Sequence, residues 1–227
     1  MNSVAEWSVA RWAGALGIAG SVLQLLAFIP FFVAGPPPSL ANAQKVLAYV
    51  KHGEAALATA VLLFFIGFAL YLGFFAAFRE VLNASPSKHR WLATATLLAG
   101  GASIAISYVG LGLTGAAVAE AAGTAEAASV RTLFEASAVL GSAPALIPIA
   151  FFLGVAGSAV AETRALPRWI AVTAWVASVL VFIASFSLYG GNDTTAFWSA
   201  TGLVGILALL PLYIWTLATS IVLLRLR

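Results

Sequence analysis

Between Glu54 and Arg79 stand twenty-four consecutive residues without a charge. At ~1.5 Å rise per residue a helix of that length covers a hydrocarbon layer of about 30 Å, so the stretch is predicted to be a transmembrane helix. On a wheel of ~100° per residue, Phe64, Phe68, Tyr71, Phe75 and Phe78 fall within about 40° of one line. Ala69, Gly73 and Ala77 fall on the opposite side. Lipid tails are as apolar as leucine, so helices in a bilayer associate where small residues let backbones approach. The Ala69, Gly73 and Ala77 face is therefore expected to contact another helix. The aromatic stripe is left for lipid, core packing, a cavity or a partner chain.

The rest of the chain has the same character. Of its 227 residues 62% are hydrophobic and 8% charged, far from the roughly 25% charge of a soluble domain. A membrane β-barrel would show short alternating segments instead of long apolar runs. The fold class is all-α, a polytopic membrane helical bundle forming one domain of six transmembrane helices. With no cysteine, disulfides, thiolate metal sites and thiol nucleophiles are excluded together. The net charge of +3 does not point to nucleic acid, because the basic residues sit at helix ends and form no single patch.

The first apolar run, about 12–34, is too long for a signal-peptide core of ~7 to 15 residues and is read as an uncleaved span. Pro30 lies near its end, and Pro36, Pro37 and Pro38 stop it. Residues 39–51 place Leu40, Ala43, Leu47 and Val50 on one face, which predicts a short helix lying at the membrane surface. The remaining spans are expected at about 55–78, 91–118, 136–161, 169–188 and 197–224. Polar turns lie at 83–90 and 189–193, and a partly helical, alanine-rich loop at 119–131. Pro144 and Pro148 should bend the fourth span, and Pro211 stands near the middle of the sixth.

Eight basic residues (Arg11, Arg79, Lys88, Arg90, Arg164, Arg168, Arg225, Arg227) share one side of this arrangement, against Lys45, Lys51 and Arg131 on the other. The positive-inside rule then puts both termini in the cytoplasm. The odd-numbered spans each open with arginine and tryptophan: Arg11-Trp12, Arg90-Trp91 and Arg168-Trp169. A shift of 81 residues lays Ala69, Gly73 and Ala77 on Ala150, Gly154 and Ser158, and Pro148 and Pro211 sit at similar depths. Three copies of a helical hairpin around a pseudo-threefold axis would give this pattern. So would the preference of any cytoplasmic interface for snorkelling arginine and headgroup-level tryptophan.

The inventory for chemistry is short. Glu135 is the acidic residue nearest a span, but Thr132 precedes it by three, the spacing of a capping box, so the pair is expected to cap the fourth helix. His52 and His89 belong to opposite surfaces and cannot share a metal or haem. No lysine or acid–histidine relay lies inside a span, and no phosphate-binding loop or serine elbow occurs. No metal and no cofactor are expected. What remains is uncharged polarity near the midplane: Gln24, Tyr71, Ser103, Ser107, Tyr108, Ser142, Ser178 and Tyr213. With Pro148 and Pro211 in its wall such a set could line a small cavity, and interhelical hydrogen bonding explains it equally well.

The Pro36-Pro37-Pro38-Ser39 break, the His52 region, the Arg79 exit and Leu166-Pro167-Arg168-Trp169 together resemble a group of uncharacterised six-span membrane proteins of bacteria, especially actinobacteria. The resemblance covers nearly the whole chain, implies a bacterial inner membrane, and carries no catalytic motif. The leading expectation is a non-enzymatic membrane protein acting by packing, as an accessory subunit or homo-oligomer. Its packing faces would be Ala69, Gly73 and Ala77 with Ala150, Gly154 and Ser158. The alternative is a carrier or binder of a small apolar solute or lipid, held by Gln24, Tyr71, Ser103, Ser107, Tyr108, Pro148 and Tyr213. Partners are membrane lipids and a possible membrane protein or second copy.

Overall fold

The computed structural model describes residues 8–84, 89–123, 126–191, 197–199 and 203–226. Its helices are α1 (Val9–Ala34), α2 (Ala43–His52), α3 (Glu54–Ala84), α4 (Trp91–Ala122), α5 (Ala127–Gly141), α6 (Ala143–Thr163), α7 (Arg168–Ser185), α8 (Leu203–Leu207) and α9 (Leu210–Arg225), with a 3-10 turn at Phe186–Gly190. No strand occurs among the described residues. Five segments are long and apolar enough to cross a membrane: α1, α3, α4, α5 continued by α6, and α7 with its turn.

The long helices pack in chain order and close on themselves: α1 on α3, α3 on α4, α4 on α6, α6 on α7, α7 on α9 and α9 back on α1. The starts of α1, α4 and α7 share one end of this ring with the ends of α3, α6 and α9. His89 Nδ1 ties the entrance of α4 to Glu162 Oε1 of α6 at 2.9 Å, and Gly14 of α1 lies against Leu224 of α9.

At the opposite end a second, smaller core forms. Leu40, Val46 and Val50 pack with Leu57, Ala117, Val130 and Phe134, so α2 lies over the ends of α3, α4 and α5. Asn42 accepts from the Lys45 amide and caps α2, and the Tyr49 ring meets Phe134 edge-on at 5.9 Å. Val46, absent from the predicted apolar face, is wholly buried, while Ala43 and Leu47 are half-buried. The cause is that α2 docks on protein as well as lying at a surface.

Several expectations are corrected. The fourth span does not start at 136 behind a cap. Helix α5 begins nine residues earlier at Ala127, which leaves Thr132 inside it with its hydroxyl donating to Ala128 O. Glu135 instead faces Arg131 at 3.4 Å, one turn away. A capping box needs extended backbone at threonine, and the alanine-rich stretch before it has enough helix propensity to continue through. The helix breaks at Gly141-Ser142, so Pro144 stands in the first turn of α6, where its missing N–H costs nothing, and not at a bend. Pro148 alone lies inside the helix.

The sixth span is likewise not one helix. Residues 200–202 lie outside the described residues, α8 is interrupted at Ala208-Leu209, and Pro211 opens α9, whose 16 residues give only about 24 Å. Helix α4 runs to Ala122, so the expected loop 119–131 is mostly helix. Pro86, Lys88, Asn192 and Asp193 of the expected turns lie outside the described residues.

Candidate functional site

The aromatic stripe of α3 is the centre of the bundle, packed in its core. Phe64, Phe68, Tyr71, Phe75 and Phe78 are all buried, joined by Phe74, while Ala69 is exposed and Gly73 and Ala77 only half-buried. Close backbone approach does occur, but on the glycines of the neighbouring helices, which receive these rings. Gly17 lies against Phe74, Gly20 against Tyr71, and Gly100 of α4 against Phe75. A bulky face meeting a glycine groove buries more apolar area than two flat faces, which decides the side. Gly73 lies against the Leu16 side chain of α1.

Toward the arginine-bearing end the rings interlock across the ring of helices. Phe75 and Phe152 of α6 have centroids 4.5 Å apart, and Trp215 of α9 stands edge-on to both Phe78 (5.9 Å) and Phe152 (5.7 Å). The Trp215 indole N–H donates to Ile170 O at 3.0 Å, which ties α9 to α7. A shift of 81 carries Tyr71 onto Phe152, and the Pro148 to Pro211 spacing carries Phe152 onto Trp215. All three are 1% exposed, each on the second helix of its hairpin.

Polar groups gather where α1, α3 and α9 meet. Ser21 Oγ and the Tyr71 hydroxyl lie 2.9 Å apart, and Thr216 turns a further hydroxyl toward Tyr71. Gln24 donates through Nε2 to Phe64 O at 3.3 Å in the space left by Gly67, and its Oε1 accepts from the Tyr213 hydroxyl at 3.4 Å. The Thr216 hydroxyl, and one turn further along α9 those of Thr219 and Ser220, are fully buried without a hydrogen bond. Ser220 Oγ presses against Gly17.

Of the expected midplane set, Gln24, Tyr71 and Tyr213 are thus brought together. Ser103, Ser107 and Tyr108 are not part of that group. Their hydroxyls donate to Gly100 O (2.7 Å), Ser103 O (2.9 Å) and Phe65 O (2.8 Å) along α4 and α3. Pro148 is half-buried on α6. The small residues of α6 line its contact with α7: Ser178 donates to Ala150 O at 2.7 Å, Gly154 lies beside Ser178, and the Trp175 indole donates to Ser158 Oγ at 3.3 Å.

Ser21, Thr216, Thr219 and Ser220 escaped the sequence reading. The signal was present as two small-residue pairs four apart, Gly17 with Ser21 and Thr216 with Ser220, on the two helices that close the ring. Chemically the cluster offers hydroxyls and one amide. It can hold helices in register or bind an uncharged polar group, but it has no side chain that exchanges protons near neutral pH. Among the described residues no three histidine or acidic side chains stand close enough to hold a metal ion.

No family model, no curated protein and no solved structure matches the chain.

Proposed function

We propose that this chain is a multi-pass protein of a bacterial cytoplasmic membrane, with both termini inside, which acts by packing against membrane partners or further copies of itself and not by chemistry. The observation that carries this reading is the interlocked interior. Phe75, Phe152, Trp215 and Phe78 follow one another in ring contact through the middle of the bundle, and between the helices Ser21 bonds to Tyr71 and Gln24 to Tyr213. What the protein offers a partner is then its outer surface, including the exposed Ala69 beside the half-buried Gly73 and Ala77. The orientation is supported by the six described arginines at one end, set against Lys45, Lys51 and Arg131 at the other.

A second reading, binding of a small apolar solute, draws on the half of the bundle away from the arginines. There α5 and α8 both break off within the apolar region, and Glu135 to Leu140 are half-buried on every side of α5. Discontinuous helices in corresponding places are a common way to build a membrane binding site.

The test is the mass of the purified protein in mild detergent. Ala69→Leu fills the outward small-residue face without touching the interior. The packing reading expects a wild-type assembly larger than one chain, or a co-purified partner, that Ala69→Leu diminishes. A monomeric wild type retaining a small molecule supports the solute reading instead.

A further inference from the structure

The two ends of the bundle differ in charge compensation. At the end where α2 lies, the described residues Lys45, Lys51 and Arg131 are accompanied by Glu54, Glu120, Glu126 and Glu135. At the other end, six arginines are accompanied by Glu80 and Glu162, and both carboxylates are engaged, Glu80 by Arg79 and Glu162 by His89. Among the described residues the other five arginines have no acidic partner within 4 Å.

Ring closure arranges these arginines into three corners, one at each junction between a descending and an ascending helix. Arg79 and Arg90 flank the first, from α3 to α4, and Arg164 and Arg168 flank the second, from α6 to α7. Arg225 and Arg11 flank the third, where α9 packs on α1 and Gly14 lies against Leu224. Each corner also carries one tryptophan at the start of the ascending helix, and all three are turned outward: Trp91 is 60%, Trp12 54% and Trp169 49% exposed. Below them the surface continues in exposed apolar side chains such as Leu98 and Val176.

We propose that each corner binds the phosphate headgroup of one anionic phospholipid from the leaflet at that end. A guanidinium presents a planar fork of donors matched to phosphate oxygens, and a pair of them holds a phosphodiester that one would lose to water. The neighbouring indole sits at headgroup depth, and the apolar flank beneath it receives the acyl chains. A soluble phosphate would use only the guanidinium part, so the exposed indole and flank favour a lipid. The inference needs the bundle to lie in a membrane and is independent of whether the protein acts by packing or by solute binding.

The experiment is native mass spectrometry of the full chain released from neutral detergent after titration with phosphatidylglycerol or phosphatidylcholine. The expected result is up to three tightly retained phosphatidylglycerol adducts, with phosphatidylcholine held weakly. Arg90→Gln and Arg168→Gln should each weaken one adduct by about fivefold, the scale for one basic side chain at an anionic surface. Lys45→Gln with Lys51→Gln should leave retention unchanged. Equal retention of the two lipids, or an equal loss from the lysine variant, overturns the proposal. So does complete displacement of the adducts by millimolar inorganic phosphate, which assigns the corners to a free anion. On the unmodified protein, brominated phosphatidylglycerol should quench tryptophan fluorescence more than brominated phosphatidylcholine, and equal quenching also overturns it.

Discussion

The Tyr71 hydroxyl on α3 lies 2.9 Å from Ser21 Oγ on α1, and both residues are withdrawn from the surface. Each is the other's partner in a seam where water cannot substitute. Removing one hydroxyl therefore strands the second, a larger loss than removing both.

Tyr71→Phe is expected to lower unfolding stability in micelles by about 1 kcal/mol, within the range measured for interhelical bonds in membranes. Adding Ser21→Ala should recover part of that loss. A double-mutant cycle in a reversible unfolding assay measures the coupling, and strictly additive losses would show that the bond contributes nothing.

The glycines of this bundle are not interchangeable. A Cβ at Gly17 runs into Ser220 and the Phe74 ring, and one at Gly20 comes within 2.7 Å of Tyr71, whereas a Cβ at Gly101 meets nothing within 4 Å. Gly17→Ala should destabilise by roughly 1–3 kcal/mol through overpacking. Gly101→Ala should be neutral or stabilising by up to about 1 kcal/mol, because alanine favours helix. Thermal denaturation in one detergent ranks the two, and equal shifts would mean that α1 and α9 do not approach as described.

Much of this was legible in the sequence, and the failures have physical causes. Five of the six long apolar runs are helices long enough to cross a membrane, and the aromatic line on α3 was real. Which neighbour it meets was left open between lipid, core, cavity and partner, because Gly17, Gly20 and Gly100 act from other helices and no wheel of α3 contains them. The breaks at Gly141-Ser142 and Ala208-Leu209 were hidden by apolar composition, which measures length and not continuity. Thr132 and Glu135 had the spacing of a cap, but spacing does not say where a helix begins. The seam of Ser21, Tyr71 and Thr216 needs three helices to be recognised as one place.

Stability at high pH should be sensitive to the helix over the far end. Burial pushes the pKa of the Tyr49 phenol above its ordinary value of 10.0, and its hydroxyl donates to Gly35 O at 3.3 Å. A group whose folded value is raised binds its proton more tightly when folded, so its contribution is complete below about pH 10 and is lost as pH rises through the folded value. Thermal melts of the wild type should therefore fall more steeply above pH 10 than those of Tyr49→Phe. Parallel curves would mean that α2 is not docked on Phe134.

The fold depends most on the bundle closing, with α9 returning to α1. Because the chain has no cysteine, a pair placed at Gly17 and Ser220 would be its only thiols. Oxidation of Gly17→Cys/Ser220→Cys in membranes is expected to give one intramolecular disulfide, seen as a loss of two hydrogens in intact mass. The control Gly101→Cys/Ser220→Cys should give none. Free thiols in the first variant, or disulfides formed only between chains, would contradict the closed ring.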